Sequence, residues 1–258
     1  MGPMQRALVA DVLTYLRFYS RLPIGEGAHA PLDFARMAPA LPIAGALIGA
    51  TGAAALIVAR VCHLPALVGA LVAISVAALA TGALHEDGLA DVADGFGGGV
   101  TRESKLAIMR DSRIGAYGVL ALCFSVLMRV AALASISERS VALAACALVF
   151  AGAASRVAGM APLISLPPAR PDGLGATVAA PSREIWIRAG FAAAAFGVAP
   201  WLAGAGAGHI VIAIIAAFAV AALVGRVAER QIGGFTGDVL GAAQQLAEIA
   251  VLATLSAV

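Results

Sequence analysis

Residues 44–59 read AGALIGATGAAALIVA, a run without a charged side chain in which three glycines lie among Ala, Leu, Ile and Val. Apolar residues continue it back to residue 41, and Arg60 follows it, so the predicted span covers residues 41–60. A helix of about 20 apolar residues crosses the roughly 30 Å hydrocarbon core of a bilayer. Small residues in such a helix let a neighbouring helix approach closely. The stretch therefore predicts a transmembrane helix that packs tightly within a bundle.

Apolar stretches of this length recur along the whole chain. The 258 residues are 61% hydrophobic and 12% charged, and the mean hydropathy is +0.95, far above that of a soluble domain. We predict one all-α domain over residues 1–258, a polytopic membrane helix bundle with about seven transmembrane helices, within a range of about six to eight. The predicted spans are 41–60, 64–84, 115–136, 141–165, 185–204, 208–227 and 239–257.

The N-terminal segment has a different pattern. Its apolar side chains recur at helical spacing, but Asp11 and Arg17 interrupt the sequence before it is long enough to cross a bilayer. This pattern predicts an amphipathic helix that lies in the membrane interface. The apolar stripe consists of Leu8, Val12, Tyr15, Leu16 and Tyr19.

Basic residues orient the predicted bundle. If the N-terminus is inside, 13 of the 17 Lys and Arg residues fall on its side of the membrane, two fall on the other side and two lie within spans. Loops rich in Lys and Arg favour the cytoplasmic side. We therefore expect a multi-pass membrane protein with its polar loops in the cytoplasm.

The acidic residues are concentrated in HEDGLADVADGFGGG, residues 85–99. In a helix, Asp87, Asp91 and Asp94 are related by i, i+4 and i+7 and share one stripe. Three carboxylates so close together repel one another, and a divalent cation with oxygen ligands is the simplest compensation. The spacing predicts a site for Mg²⁺, or Mn²⁺, that also binds a phosphate compound. The alternative is a solvated loop between spans.

The next polar stretch, IMRDSRIGAYG at residues 108–118, supplies the opposite charge. Arginine forms two parallel hydrogen bonds to phosphate oxygens, so we predict that Arg110, Ser112 and Arg113 bind the substrate phosphates. The alternative is that the arginines only anchor the following span on the cytoplasmic side.

A third polar stretch, GGFTGDVLGA at residues 233–242, opens the last predicted helix. Gly233, Gly234 and Gly237 allow a ligand to approach the backbone, and Thr236 is a suitable N-cap. We predict that these four residues contact substrate and that Asp238 is a further acid of the site. The alternative is a capped turn between two helices.

Taken in this order, the three stretches resemble the membrane-bound cobalamin synthase family, also called adenosylcobinamide-GDP ribazoletransferases. FYSRLP at residues 18–23 is similar to the family's Phe-x-Thr-Arg-Leu-Pro stretch, with Ser20 in place of Thr. The resemblance extends from about residue 5 to the end of the chain.

The resemblance implies a Mg²⁺-dependent phosphoryl transfer that completes the nucleotide loop of vitamin B12. The 3′-hydroxyl of α-ribazole, or of its 5′-phosphate, attacks the cobinamide-side phosphorus of adenosylcobinamide-GDP, and GMP leaves. The resemblance also implies the metal ligands, which are Asp87, Asp91, Asp94 and Asp238. As the group that accepts the hydroxyl proton, we expect Asp91 or Asp94, with His85 as the alternative.

Two competing functions remain open from the residues. A CDP-alcohol phosphotransferase also carries a helical cluster of aspartates, but its second Gly-x3-Asp-x3-Asp half is missing here. A transporter would carry its acids in mid-span, whereas these acids lie at a span end between glycines and basic residues. Besides the two substrates and the lipid bilayer, we expect a second copy or other cobalamin-assembly enzymes as partners, and no nucleic acid.

Overall fold

The computed structural model describes residues 2–25, 33–172 and 178–257. Within these residues the chain is helical, without a β-strand, and Pro168 and Phe235 form an isolated bridge. A short 3₁₀ turn, Ala38–Ala40, joins the helix Phe34–Met37 to the helix Leu41–Val61. The helices are α1 Pro3–Tyr19, α2 Phe34–Met37, α3 Leu41–Val61, α4 Ala66–Thr81, α5 Leu84–Gly98, α6 Arg102–Ile108, α7 Ala116–Arg139, α8 Val141–Ala158, α9 Ala161–Ser165, α10 Arg183–Ala195, α11 Val198–Leu202, α12 Ala207–Ile232 and α13 Gly237–Ser256.

The predicted all-α membrane bundle is confirmed. Six helical segments of the described chain are long and apolar enough to cross a membrane, and the number rises to seven if α4 and α5 form one broken span. The ambiguity comes from an 89° bend between these two helices. Two successive left-handed residues, Gly82 with φ 64° and Ala83 with φ 58°, produce the bend. The acidic helix α5 therefore runs across the direction of α4.

The glycine-rich run in α3 packs against α8, as its composition predicts. A Cβ atom on Gly45 would overlap the carbonyl oxygen of Gly152, and one on Gly49 would overlap that of Leu148. The two backbones thus approach closely only because these positions lack side chains. This pair forms one half of the bundle core.

The last helix, α13, forms the other half, because it contacts α5, α7, α8 and α12. Most of its residues are buried, among them Val239, Ala243, Val251 and Leu255. Its N-terminal end reaches the acidic helix, so residues 238 and 241 lie beside residues 85 and 88.

The N-terminal helix is also present, as predicted. Val12, Tyr15 and Leu16 of its apolar stripe are buried against the bundle, and Asp11 forms an ion pair with Arg36 at 2.8 Å. The stripe thus packs on protein along its second half. A position in the membrane interface stays a prediction.

Candidate active site

The acidic helix and the last helix meet at two glycines. A Cβ atom on Gly88 would lie 2.9 Å from the carbonyl oxygen of Asp238 and 3.1 Å from its Cα atom. A Cβ atom on Gly241, one turn further along α13, would lie 3.5 Å from the Cα atoms of Gly88 and His85, which is an ordinary contact distance. The absence of a side chain at Gly88 is therefore what lets the two backbones approach so closely. This contact joins the first and third sequence motifs.

Three carboxylates gather around this contact. Asp87 is exposed and Asp91 is half-buried on α5, and Asp238 lies on the first turn of α13. Asp87, Asp94 and Asp238 all lie close enough to Asp91 to repel its charge, and Arg170 is the cation that attracts it. The structure thus brings together the predicted acids of both motifs, from opposite ends of the sequence.

Asp94 is placed differently from the open carboxylate stripe that the spacing predicts. It is buried, and its two oxygens accept hydrogen bonds from the peptide N–H groups of Gly115 at 2.7 Å and Gly118 at 2.8 Å. These groups belong to the first turn of α7, where a negative charge is stabilised. The chain returns through α6 and covers this end of α5, which the period of a single helix does not reveal. In the structure Asp94 is a cap of α7, and its roles as metal ligand and proton acceptor stay predictions.

The glycines of the third motif have distinct roles. Gly233 ends α12 in the left-handed conformation with φ 73°. A Cβ atom on Gly234 would overlap the carbonyl oxygen of Pro167, because residues 167–169 pair with Phe235 through backbone hydrogen bonds of 2.8 and 3.0 Å. Gly233 and Gly234 therefore shape the turn, whereas Gly237 lines a cavity. Substrate contact by the first two stays a prediction.

Thr236 orients the acid that follows it. Its hydroxyl accepts a hydrogen bond from the N–H of Val239, which caps α13, and donates one to Asp238 Oδ2 at 3.1 Å. Arg170 Nη2 lies 3.6 Å from the same oxygen. The Asp238 carboxylate is therefore held by two neighbours at the mouth of the site.

Arg102 fastens this region. Its guanidinium donates to the carbonyl oxygens of Ile232 and Ala169, both at 2.7 Å, and Lys105 donates to Gln231. Short helix α6 thus ties together the two loops that precede and face the third motif. Sequence analysis assigned no role to Arg102.

The arginines of the second motif lie outside the contact between α5 and α13. Arg110 donates to both carboxylate oxygens of Asp172, at 2.6 and 2.7 Å. It lines an open depression of about 350 Å³ together with Arg102 and Arg170. Glu103 and Asp172 line the depression as well, and because Arg170 also reaches Asp238, the depression adjoins the acidic residues of the site. Phosphate binding by Arg110 stays a prediction. In the structure the Arg110 guanidinium is paired with the Asp172 carboxylate.

Arg113 and Ser112 are exposed. The Arg113 side chain is 88% exposed, and it donates through both Nε and Nη2 to Asp111. These hydrogen bonds lower the pKa of the Asp111 carboxyl to about 2. The pair is a surface contact within the loop before α7, and substrate binding by Ser112 and Arg113 stays a prediction.

A cavity of about 190 Å³ lies beside two of the three acids, Asp87 and Asp238. Asp87, Gly88, Gly237 and Asp238 line it on the side of the two motifs, so both motifs open into one space. The remaining lining is mostly apolar. It comes from α1, α2, α5, α9, α13 and the segments that precede α9, α10 and α13. It includes Phe18, Tyr19, Phe34, Leu84, Met160, Leu163, Val178, Phe235 and Leu240.

His85 also lines this cavity, although it is buried. Its ring stacks on that of Tyr19, with the centroids 5.5 Å apart and the planes inclined by 16°. Burial on the packing face agrees with the helical period of Leu89 and Val92, which are buried as well. Its role as a proton acceptor stays a prediction.

Two buried polar residues of this cavity were not predicted from the sequence. Arg156 on α8 and Gln244 on α13 both line it, and each is almost fully buried. Gln244 donates to Ser155 and to Glu248, both at 2.9 Å. An ionisable residue inside a membrane span is costly and often functional, which is the signal that sequence analysis left unused at Arg156.

Whether this site could hold a metal ion depends on the donor atoms that its side chains supply. In the part of the chain that the structure describes, no three His, Cys, Asp or Glu side chains are arranged as a metal site by themselves. Mg²⁺ usually takes only one or two protein carboxylates and completes its shell with water and phosphate oxygens. Asp87, Asp91 and Asp238 supply oxygen donors of this kind, and among the described residues Asp87 and Asp91 form no ion pair. The residues therefore fit Mg²⁺ bound together with a phosphate ligand.

Comparison with known proteins gives a consistent result over nearly the full chain. The family model described as Cobalamin-5-phosphate synthase matches residues 11–256. An adenosylcobinamide-GDP ribazoletransferase of Azorhizobium caulinodans is 49% identical, over 95% of this chain and 94% of its own. Proteins of the same name from Xanthobacter autotrophicus and Bradyrhizobium diazoefficiens are 46% and 45% identical, over 95% and 98% of this chain and 95% of their own lengths. No solved structure matches the chain.

Proposed function

The chain belongs to the cobalamin-5-phosphate synthase family, and from this we propose that it joins α-ribazole, or its 5′-phosphate, to adenosylcobinamide-GDP. In this reaction the ribose 3′-hydroxyl attacks the cobinamide-side phosphorus. The new P–O bond forms as the bond to the GMP oxygen breaks. The products are adenosylcobalamin, or its 5′-phosphate, and GMP.

One observation carries the proposal: the first and third motifs line the same cavity, with Gly88 in backbone contact with Asp238. Phosphoryl transfer requires positioning and charge stabilisation more than covalent participation of the protein. Carboxylates beside a depression with three arginines meet both requirements. Arg102, Arg110 and Arg170 line this depression together with Glu103 and Asp172, and the arginines suit the pyrophosphate side of the nucleotide.

We further propose Mg²⁺, with Mn²⁺ as a substitute, held by one or two of Asp87, Asp91 and Asp238 together with phosphate oxygens of the substrate. When bound, the ion would neutralise charge on the pyrophosphate. Arg170 balances the charge of Asp238 at 3.6 Å and would turn toward phosphate oxygens when substrate is present. Thr236 keeps the Asp238 carboxylate oriented through its 3.1 Å hydrogen bond.

A carboxylate would accept the proton of the attacking hydroxyl. Asp91 is the first choice, because it is half-buried next to the other acids and forms no ion pair within the described residues. Asp94 is less suited, since both of its oxygens already accept peptide hydrogen bonds. His85 is the alternative, because it lines the cavity beside Asp87.

The test is to incubate the purified protein in detergent with adenosylcobinamide-GDP, α-ribazole 5′-phosphate and Mg²⁺, and to measure GMP. We expect GMP and the joined cobamide in equal amounts, and neither product when EDTA replaces Mg²⁺. Release of CMP from a CDP-alcohol, without GMP from the cobinamide substrate, would instead indicate a CDP-alcohol phosphotransferase. GMP formation in the presence of EDTA would refute the metal requirement alone.

We also propose that the protein lies in the cytoplasmic membrane with its active-site loops in the cytoplasm. Large apolar side chains are exposed on several spans, for example Leu71 on α4, Phe124 on α7 and Ile215 on α12, and lipid would cover them. The partition of basic residues supports the orientation. Association with a second copy, or with other enzymes of cobalamin assembly, would use the same faces.

A further inference from the structure

Arg156 is a buried cation that faces the cavity. It lies on the last turn of α8, with only 5% of the residue exposed. Its Nη1 donates to the carbonyl oxygen of Gly152 at 3.1 Å, four residues earlier in the same helix. Its Nε has no hydrogen-bond partner within the described residues. The stem lies against Gly45, where any side chain would collide with Arg156 Cδ.

The nearby carboxylates do not pair with Arg156. Glu86 and Glu248 lie at 3.1 and 3.5 Å from Arg129 Nη1, and in the described chain neither comes within 4 Å of the Arg156 guanidinium. A buried arginine without an ion pair is expensive unless an anionic partner arrives. A purely structural role, as the counter-charge that makes the group of two glutamates and two arginines neutral, is the rival explanation.

Two chemically different groups of side chains line the cavity. Phe18, Tyr19, Phe34, Leu163 and Phe235 are aromatic or aliphatic. Asp87, His85, Asp238, Gln244 and Arg156 are polar, and His85 stacks on Tyr19 of the first group. A flat apolar base joined to a sugar phosphate matches this division, because the base would contact rings and the hydroxyls would contact carboxylates.

The size of the cavity separates the two substrates. At about 190 Å³ it is smaller than the roughly 300–1,000 Å³ of pockets that enclose drug-sized ligands, so α-ribazole 5′-phosphate, which is of that size, would be enclosed in part. A corrinoid joined to GDP is far larger still. The space therefore suits the smaller substrate.

We propose, on the basis of the proposed function, that this cavity binds the α-ribazole substrate and that Arg156 binds its 5′-phosphate. Arginine offers a planar pair of donors to phosphate oxygens, and in a buried site such a contact is strong. Arg156 is thereby a specificity-determining residue that distinguishes α-ribazole 5′-phosphate from α-ribazole. The ribose 3′-hydroxyl would then point toward Asp87 and Asp238, which would hold the metal ion and through it the pyrophosphate of the other substrate.

The experiment measures KM for α-ribazole 5′-phosphate and for α-ribazole, with adenosylcobinamide-GDP and Mg²⁺ saturating. We expect Arg156→Gln to raise KM for the phosphorylated substrate about tenfold or more, and to change that for α-ribazole less than about twofold. Arg156→Lys should restore part of the difference. Arg139→Gln is the matched control, because Arg139 donates to the carbonyls of Leu255 and Ser256 at the far end of α7.

An equal rise in KM for α-ribazole and for its 5′-phosphate would support the structural role and overturn the proposal, as would a change confined to KM for adenosylcobinamide-GDP. If Arg156→Gln does not fold, the unaltered protein decides: equal KM values for α-ribazole and its 5′-phosphate would also overturn the assignment. Absence of GMP with both substrates would refute the proposed function itself. GMP formation without discrimination would refute only the role of Arg156.

Discussion

Replacing Asp94 with Asn separates the two roles that this residue has in sequence and structure. Its carboxylate accepts the N–H groups of Gly115 and Gly118 at 2.7 and 2.8 Å and is buried. An asparagine keeps the size and one acceptor oxygen but turns an NH₂ group toward one of the two peptide donors. The variant therefore loses at least one hydrogen bond of a charged group, whatever happens to the metal.

The magnitude follows from that lost bond. A hydrogen bond to a charged group contributes about 1.5–3 kcal/mol. For a chain of this size, about 2–4 °C of melting temperature corresponds to 1 kcal/mol, so Asp94→Asn should melt about 3–12 °C lower. Asp94→Ala, which loses both bonds, should melt lower still. The matched control is Asp87→Asn, because Asp87 is exposed and forms no ion pair within the described chain.

The assay is thermal unfolding in detergent with EDTA present, followed by tryptophan fluorescence. Asp94→Asn should be destabilised under these conditions, and Asp87→Asn should stay within about 2 °C of the unaltered protein. A normal melting temperature for Asp94→Asn in EDTA, with a loss only when Mg²⁺ and substrate are added, would refute the helix-cap assignment. It would show instead that Asp94 is a metal ligand, as the spacing predicts.

Three further predictions concern the site and its orientation. Asp91→Asn should abolish GMP release and leave the metal-free protein as stable as before or slightly more stable, because repulsion among the acids is relieved; a stable and active variant would contradict its role. Gly88→Ala should force α5 away from Asp238 and lower kcat at least about tenfold, whereas Gly208→Ala, with no atom within 4 Å of the added Cβ, should retain activity; equal activity of both would show that the close contact is dispensable. In a background without native cysteines, single cysteines at positions 99 and 234 should resist an impermeant reagent added to intact cells and react after lysis, and labelling of either in intact cells would reverse the orientation.

Sequence alone predicts the spans and the meeting of the motifs for different reasons. Span length and apolarity are local properties, so residues 41–60 and 141–165 agree with the helices observed there. The meeting of Asp87 with Asp238 is not local, and it is the resemblance to a known family that implies it. The helical period places Asp94 with Asp87 and Asp91, because such a period shows which residues share a face and not what covers that face.

The features that the sequence did not predict depend on tertiary contacts. The 89° bend requires a left-handed alanine at Ala83, which no propensity favours. The arrangement of Arg156 depends on the Gly45 position of another helix. The pairing of Arg110 with Asp172 joins loops 62 residues apart in sequence. The arrangement of Arg156 and the pairing of Arg110 are contacts between segments that a single period or motif does not connect.

The first three polar residues of α5 explain how this helix is held in place while Asp87 stays open to the cavity. His85 stacks on Tyr19 of α1, and Glu86 reaches Arg129 of α7, which also lies 3.5 Å from Glu248 of α13. Asp87, the next residue, lines the cavity instead. Successive helical side chains point about 100° apart, so one turn serves three directions. Because removal of one partner from a buried ion pair costs about 3–5 kcal/mol, Glu86 anchors α5 by an interaction that involves no substrate. The helix is therefore fixed before substrate binds, and the carboxylate of Asp87 remains free for the chemistry.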